Sequence, residues 1–267
     1  MYKIVYYTTI YKIDSKFNFD KYLEWGKNLI NQFENNLLIV FTNNETHLLI
    51  KDILKNDNIN VINRELNDFI LFRHLKYFKR NLRYFIAYNI ILDEKLLMLY
   101  VERHLLIKHI MDNYNSEFYS YIDWGYIRDN INLSKWYINT ELLEKKIYIG
   151  IVNYNKNDFI NKVKLVNNNQ IWIYKKRFYY FISGGFNIIH NSLVDFWINK
   201  IGSTIKSCLI NNIDFKDDQI IIANISLNLK NINNFCFVNL ENDWFFFRKL
   251  FSENEKFNLN DNLIEIR

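Results

Sequence analysis

The chain has no proline and only six glycines in 267 residues. Without proline, breaks between elements have to be read from Gly, Asn and Asp. The lack of proline beside abundant Asn, Ile, Lys and Tyr points to an A/T-rich coding sequence and says nothing of activity. From Gly26, Gly125, Gly150, Gly184, Gly185 and Gly202 neither a G-x-G-x-x-G fingerprint nor a P-loop can be built, and there is no G-x-S-x-G elbow. The usual signatures of dehydrogenases, P-loop ATPases and α/β-hydrolases are thereby excluded.

The five histidines, His47, His74, His104, His109 and His190, come with no pair of cysteines at a zinc-ligand spacing. The two cysteines, Cys208 and Cys236, lie far apart, each inside an apolar run. They read as buried thiols of a reducing compartment rather than a disulfide. No run approaches the ~18 apolar residues of a membrane span. The N-terminal MYKIVYYTTIYKID has no small-residue cleavage site. A soluble, cytoplasmic protein is expected.

Apolar residues make up 49% and charged residues 24%, ordinary for a globular domain, while aromatics reach 18%. The net charge of +5 suits a polyanionic ligand such as a nucleotide diphosphate and is too small to argue for nucleic acid. Arg73, Lys76, Lys79, Arg80 and Arg83 do interleave with Phe72, Tyr77, Phe78, Tyr84 and Phe85, a mixture that can bind single strands. An amphipathic helix showing its solvated face is the better reading, and no nucleic-acid partner is expected.

The periodicities give a β-α-β-α-β opening: strands at Lys3–Thr9, Leu37–Thr42 and Ile59–Asn63, helices at Phe19–Phe33 (capped by Asn18 or Asp20) and Asn44–Leu54. Such an order predicts a mostly parallel sheet with helices on both faces. Helices are expected at Phe69–Tyr88 and, as one long apolar element, at Glu94–Asn113. A strand then runs from Phe118 into Asp123 and breaks at Gly125. Asp129–Lys145 reads as irregular and anchored by Trp136. Strands follow at Lys146–Val152, Gln170–Tyr174 and Arg177–Ile182, the last running into a tight Ser183-Gly184-Gly185 loop. A helix capped by Asn191 runs to Ile210, another spans Asp217–Leu229, and Phe235–Leu240 is a last strand, before an aromatic tail, Trp244–Phe251. No repeat or linker interrupts the chain, so a single domain over residues 1–267 is expected.

Four clusters carry possible chemistry. Asp123 stands where an apolar strand ends, and in an open α/β sheet the ligand crevice lies at the carboxyl ends of the strands. With Gly125 and Arg128 it suits a metal-bound diphosphate, or is an ordinary turn. Ser183-Gly184-Gly185-Phe186 offers backbone N–H groups to a sugar or phosphate, or is a plain strand-to-helix turn. Asp217-Asp218-Gln219 opens a helix, where acidic residues complement the dipole or reach a ligand. Arg103, on a mostly apolar helix, must find a diphosphate or a carboxylate. His190, near the glycines, reads as an idle histidine.

Taken together, these segments resemble the HtrL/YibB-like family, bacterial proteins associated with surface polysaccharide and held to be GT-A glycosyltransferases. FYSYIDWGYIR, Phe118–Arg128, resembles its W-x-D-x-G-x-x-R segment. Ser134-Lys135-Trp136 resembles its K-W-P, with Tyr137 in place of Pro. LYVERHLLIKHI, Leu99–Ile110, resembles the preceding helix, with Arg103 where Lys is usual. ISGGFNIIHNSLVDFW resembles its G-G-F-F segment, with Asn187 for the second Phe, and Asp217-Asp218-Gln219 its D-[DE]-Q.

The resemblance implies a GT-A fold: a Rossmann-like nucleotide half (about residues 1–125) and an acceptor half (about 126–267) in one sheet. It implies sugar transfer from a nucleotide-diphosphate sugar to a glycan or other acceptor. Asp123, Asp218 and Gln219 would form the reacting centre. Thr8, Thr9, Arg103 and Arg128 would bind nucleotide and diphosphate. Gly125, Ser183, Gly184, Gly185 and Phe186 would bind sugar. Asp123 would also be the ligand of a divalent cation, Mn or Mg, although Gly125 stands where a D-x-D motif has its second Asp. The alternative is a GT-A-like module that binds carbohydrate or nucleotide without turnover. A homo-oligomer stays open.

Overall fold

A computed structural model describes residues 2–33, 36–82, 92–128, 138, 140–152, 182–215, 217–228, 230–239 and 263–264. In chain order the elements among them are β1 (Tyr2–Thr9), α1 (Phe19–Gln32), β2 (Leu38–Thr42), α2 (Asn44–Ile50), β3 (Ile59–Asn63), α3 (Leu75–Asn81), α4 (Glu94–Glu102), α5 (Ile107–Asn113), β4 (Ser116–Ile122), β5 (Ile147–Ile151), β6 (Ile182–His190), α6 (Val194–Ile210), α7 (Asp218–Ser226), β7 (Phe235–Asn239) and β8 (Leu263–Ile264). Trp136, the strand expected at Gln170–Tyr174 and the Trp244–Phe251 tail lie outside the described residues.

The strands form one sheet in the order β3-β2-β1-β4-β6-β5-β7-β8. β1 pairs in parallel with β2 and β4, and β2 with β3. β6 then runs antiparallel to both β4 and β5, β7 is parallel to β5, and β8 closes antiparallel. The architecture is α/β, as expected. The sheet is mixed: four of its seven pairings among the described residues are parallel, and the antiparallel ones come from β6, wedged into its centre, and from β8 at its edge.

Two apolar layers follow from the period-2 alternation of the strands. Val5, Tyr7, Ile39, Phe41, Tyr119 and Tyr121 face α3–α7, together with Trp197 and Ile201. Ile4, Tyr6, Leu38, Val40, Phe118 and Ile122 face α1 through Leu29, Ile30 and Phe33, and α2 through Ile50. Each such side chain taken out of water contributes about 1.5–3 kcal/mol. No helix among the described residues is long and apolar enough to cross a membrane. Cys208 is buried on α6 and Cys236 half-buried on β7, and they are not joined.

Three expected elements differ for a tertiary reason, and three helices differ at an end. Of the helix expected at Phe69–Tyr88, the described part, which ends at Leu82, is α-helical over α3 and preceded by single 3-10 turns at Leu66–Asp68 and Phe72–His74. Between those turns the backbone N–H groups of Ile70 and Leu71 donate to the buried Glu102 carboxylate, at 3.1 and 2.9 Å, which draws the chain out of helix. Within α3, Phe78 is buried while Lys76 and Lys79 are exposed and Arg80 bonds Asp214, the arrangement of an amphipathic helix.

The long helix at Glu94–Asn113 is two helices. Over Arg103–Leu106 the hydrogen bonds tighten to i→i−3, with His104 N–H to Val101 O and Leu105 N–H to Glu102 O. At this break Glu102 turns to the Ile70–Leu71 backbone, while Arg103 and His104 both turn to Asp218.

Ser183-Gly184-Gly185 is no loop but the start of β6. The register between β5 and β6 jumps from Ile149↔Asn187 to Ile151↔Ile182, so Ser183–Phe186 bulge out of that ladder, and bulges of this kind re-aim a strand beside a site. At the start of α6, the His190 side chain rather than Asn191 accepts from Ser192 N–H, and Asn191 instead donates to Ser116 O at 3.1 Å. α2 and α7 end earlier than their apolar patterns suggest, at Ile50 and Ser226.

One contact fixes the turn after β4. The Trp124 indole donates to Tyr22 O at 2.8 Å and lies flat on Gly26 of α1, where a Cβ would come within 2.3 Å of the ring. Gly26→Ala is therefore expected to lower stability by about 1–3 kcal/mol, the usual penalty of overpacking. Gly202→Ala on α6, with nothing within 4 Å of the added carbon, should instead raise it by about 0.5–1 kcal/mol. Urea midpoints of the two variants check both signs.

Candidate active site

β1 is the switch point of the sheet: β2 lies on one side of it and β4 on the other. A crevice opens there by geometry, outside the carboxyl ends. A small cavity of about 60 Å³ occupies it, walled by Thr9, Tyr11, Tyr22, Leu99, Tyr100, Tyr121 and Trp124 among others. It shares Tyr100, Arg103 and Asp123 with a larger cleft of about 340 Å³. That cleft is also lined by Tyr126, Arg128, Ser183, Gly184, Gly185, Asp217, Asp218 and Gln219. Its size falls within the range of small-molecule sites.

The floor is an ion-pair network around Arg103, which is 4% exposed. Its Nη1 donates to the Tyr121 hydroxyl at 2.8 Å and to Asp123 Oδ2 at 3.1 Å. Its Nη2 donates to Gly184 O at 2.8 Å and to Asp218 Oδ2 at 2.7 Å. The guanidinium lies between the rings of Tyr121 and Tyr100, 4.5 and 5.2 Å from their centroids. The His104 Nε2 also meets Asp218 Oδ2, at 2.7 Å.

Gly184 is a glycine because of this network. A Cβ there would sit 3.2 Å from Asp218 Oδ2 and 3.3 Å from Arg103 Nη2, closer than ordinary packing allows. Asp123 is held by Gly125 N–H on Oδ1 at 2.9 Å, and its own N–H donates to Gly185 O at 2.8 Å. Two chain segments distant in sequence are thereby stitched together at the carboxylate.

The charges interlock. Burial by itself would raise the Asp218 carboxyl, but the Arg103 guanidinium and the His104 hydrogen bond outweigh it and hold the group below the usual carboxylate range. Burial opposes charge on Arg103, yet Asp218, Tyr121 and Asp123 hold it protonated more firmly than an arginine in water. Burial lowers the His104 pKa despite the hydrogen bond to Asp218, so the ring is neutral at pH 7. Burial raises Glu102 against the pull of its two backbone donors.

Of the residues expected from sequence, Asp123, Gly125, Arg103, Arg128, Ser183, Gly184, Gly185, Asp218 and Gln219 converge on this cleft or its floor. Thr9 lines the smaller cavity. Thr8 and Phe186 line neither: Thr8 is wholly buried in the sheet, and Phe186 is buried against Tyr126. Arg103, expected at the diphosphate, has its Nη1 and Nη2 on Tyr121, Asp123, Gly184 and Asp218. The exposed cation at the mouth is Arg128, stacked on Trp25 at 4.5 Å and Phe17 at 5.4 Å, its Nε donating to Gly125 O. His190 is capped onto Ser192 and packed on Phe118, away from the cleft.

Sequence reasoning missed Tyr100, Tyr126 and His104. The signal for His104 was available: Glu102-Arg103-His104 puts three polar residues in succession inside an apolar run.

A divalent cation needs several oxygen ligands. Among the described residues no three His, Cys, Asp or Glu side chains are grouped to hold one. Asp123 offers one carboxylate with Arg103 already beside it, so a cation would fit only together with a ligand whose own oxygens complete its shell.

No model of a known protein family matches the chain, and no curated protein matches it. The geometry of the cleft therefore carries the functional argument.

Arg103→Met would leave Asp218 buried beside His104 alone. A loss of about 3–5 kcal/mol is expected, as for other broken buried pairs, with a rise in the Asp218 pKa; chemical denaturation and carboxyl NMR titration measure these. The pH dependence has a definite sign. Unfolded His104 takes up a proton near its ordinary pKa of 6.5 while the folded ring resists it, so its contribution to stability declines as pH falls below that value. Unfolded Asp218 is protonated below its ordinary 3.8 while the folded carboxylate stays ionised, which adds a second decline in stronger acid. Glu102 runs the opposite way, its raised pKa relieving destabilisation as acid is added. His104→Gln should remove the decline between pH 7 and 5 that belongs to this ring, read as the difference between the two unfolding curves.

Proposed function

We propose that the protein is a glycosyltransferase of the GT-A type, moving a sugar from a nucleotide-diphosphate donor to a glycan or other acceptor. The observation that carries this is the meeting, in one cleft, of Asp123 from the end of β4, the Ser183–Gly185 bulge of β6 and the Asp217-Asp218-Gln219 start of α7. The cleft is continuous with an aromatic crevice at the sheet's switch point, a setting for a nucleoside. One continuous sheet with a parallel half and a reversed strand beyond β4 supports a nucleotide half and an acceptor half. The resemblance to the HtrL/YibB-like family, with its motifs at these same positions, supports it too.

In this reading Asp123, half exposed in the cleft, accepts from a sugar hydroxyl or holds a divalent cation, Mn or Mg, that arrives with the diphosphate. Such a cation would supply charge screening for the leaving group. Arg128, already oriented by Trp25 and Phe17, meets the diphosphate at the mouth. Asp218 stays ionised, so it stabilises positive charge growing at the sugar's reacting carbon. Its lowered pKa makes it a poor proton acceptor, which argues against Asp218 as the base of an inverting reaction. Gln219, anchored through its amide to Ile182 O, lines the same wall.

One observation favours a second reading, a module that binds without turnover: a single guanidinium ties both Asp123 and Asp218. The two readings separate on a panel of UDP- and GDP-sugars with manganese. Sugar transfer predicts donor turnover that Asp123→Asn lowers by roughly 100-fold or more with the melting temperature little changed. Donor binding without turnover in the wild type supports the module, and neither binding nor turnover overturns both.

A further inference from the structure

We propose that His104 is the positioning residue of the cleft, holding the Asp218 carboxylate in the orientation that serves Arg103 on one oxygen and a bound sugar on the other. The part that concerns the sugar rests on the sugar-transfer reading; the part that concerns the carboxylate does not.

His104 sits in the tight turn between α4 and α5 and is fully buried. Its ring is wedged edge-on against Trp197, at 5.7 Å, and tilted against Tyr121, at 6.0 Å. A wedged ring cannot swing, so its Nε2 is a fixed point in the cleft floor. That atom lies 2.7 Å from Asp218 Oδ2, the oxygen that also receives Arg103 Nη2 at 2.7 Å. An ionised carboxylate only accepts, so the imidazole proton must be on Nε2. Nδ1 is then a bare acceptor, and it has no hydrogen-bond partner among the described residues.

Burying an imidazole that makes one bond is unfavourable unless that bond matters. Two donors from different directions on Oδ2 define the plane of the carboxylate, which one donor would not. Neither of them uses Oδ1, and Asp218 lines the cleft. A neutral imidazole adds this second bond without adding charge, so the attraction of Asp218 for developing positive charge is kept. A lysine or arginine in its place would cancel it.

The experiment compares wild type, His104→Leu and His104→Gln, whose amide nitrogen can stand where Nε2 was. In ¹⁵N-histidine NMR of the wild type at pH 7, His104 should carry its proton on Nε2. With a turned-over nucleotide sugar, His104→Leu should lower kcat by roughly 10- to 100-fold at a nearly unchanged KM for the donor, and His104→Gln should restore most of it. A proton on Nδ1 overturns the proposal, as does a Gln variant as slow as Leu, or a Leu variant with wild-type kcat. If wild type turns over no donor, the sugar-transfer reading fails by itself. His104 is then judged by the ¹³C carboxyl resonance of Asp218. Displacement in Leu with return in Gln supports its positioning role, and an unmoved resonance overturns it. Should His104→Leu not fold, the tautomer and the Gln variant decide.

Discussion

A positive charge shut away from water organises this protein. Arg103 is buried where an unpaired guanidinium could not persist, and its environment is built to satisfy it: two carboxylates, a phenol hydroxyl and a backbone carbonyl, from β4, the residue after it, β6 and α7. Each partner is tied to a different element, so the ion pair acts as a clasp across the sheet. A side chain at position 184 would crowd the clasp, 3.2 Å from Asp218 and 3.3 Å from Arg103, and the helix breaks at the residue that supplies the guanidinium.

Its surroundings repeat the same logic at the next remove. Glu102 turns the other way to hold the 66–74 segment through two backbone donors. Trp124, lying on Gly26, fixes the turn that carries Gly125 onto Asp123. Three adjacent polar residues on one turn thus brace the 66–74 segment on one side and the start of α7 on the other, and the cleft above them inherits their rigidity. Preorganised groups of this sort cost no rearrangement when a ligand's charge changes during reaction.

The α/β class and the opening β-α-β-α-β run were legible in the sequence because alternation and helical spacing are local signals. Asp123, Ser183–Gly185 and Asp218 could be picked out for a similar reason, as carboxylates and glycines placed where apolar runs stop. What could not be read is whatever tertiary partners impose. Leu99–Ile110 has good helix formers throughout, and it divides where Glu102 turns to the Ile70–Leu71 backbone and Arg103 and His104 turn to Asp218. Ser183–Gly185 has turn-like composition yet lies in a strand, because its glycines make room for side chains arriving from α7 and α4. Arg103 was recognised as needing an anion, but no local pattern says whether that anion is a ligand or an aspartate.

The placement of β6 has a consequence for how the chain is made. Its slot lies between β4 and β5, both of which leave the ribosome earlier. A nascent chain that has reached residue 152 therefore presents the open edge of β4 and an unpaired β5, whose partners β6 and β7 both come later, and unpaired edges are templates for association with other chains. The same insertion that joins β4 to β5 brings in Gly184, and with it the first backbone carbonyl for Arg103. The floor is finished only when α7 follows with Asp218, so a partly synthesised molecule has neither a protected sheet nor a complete clasp.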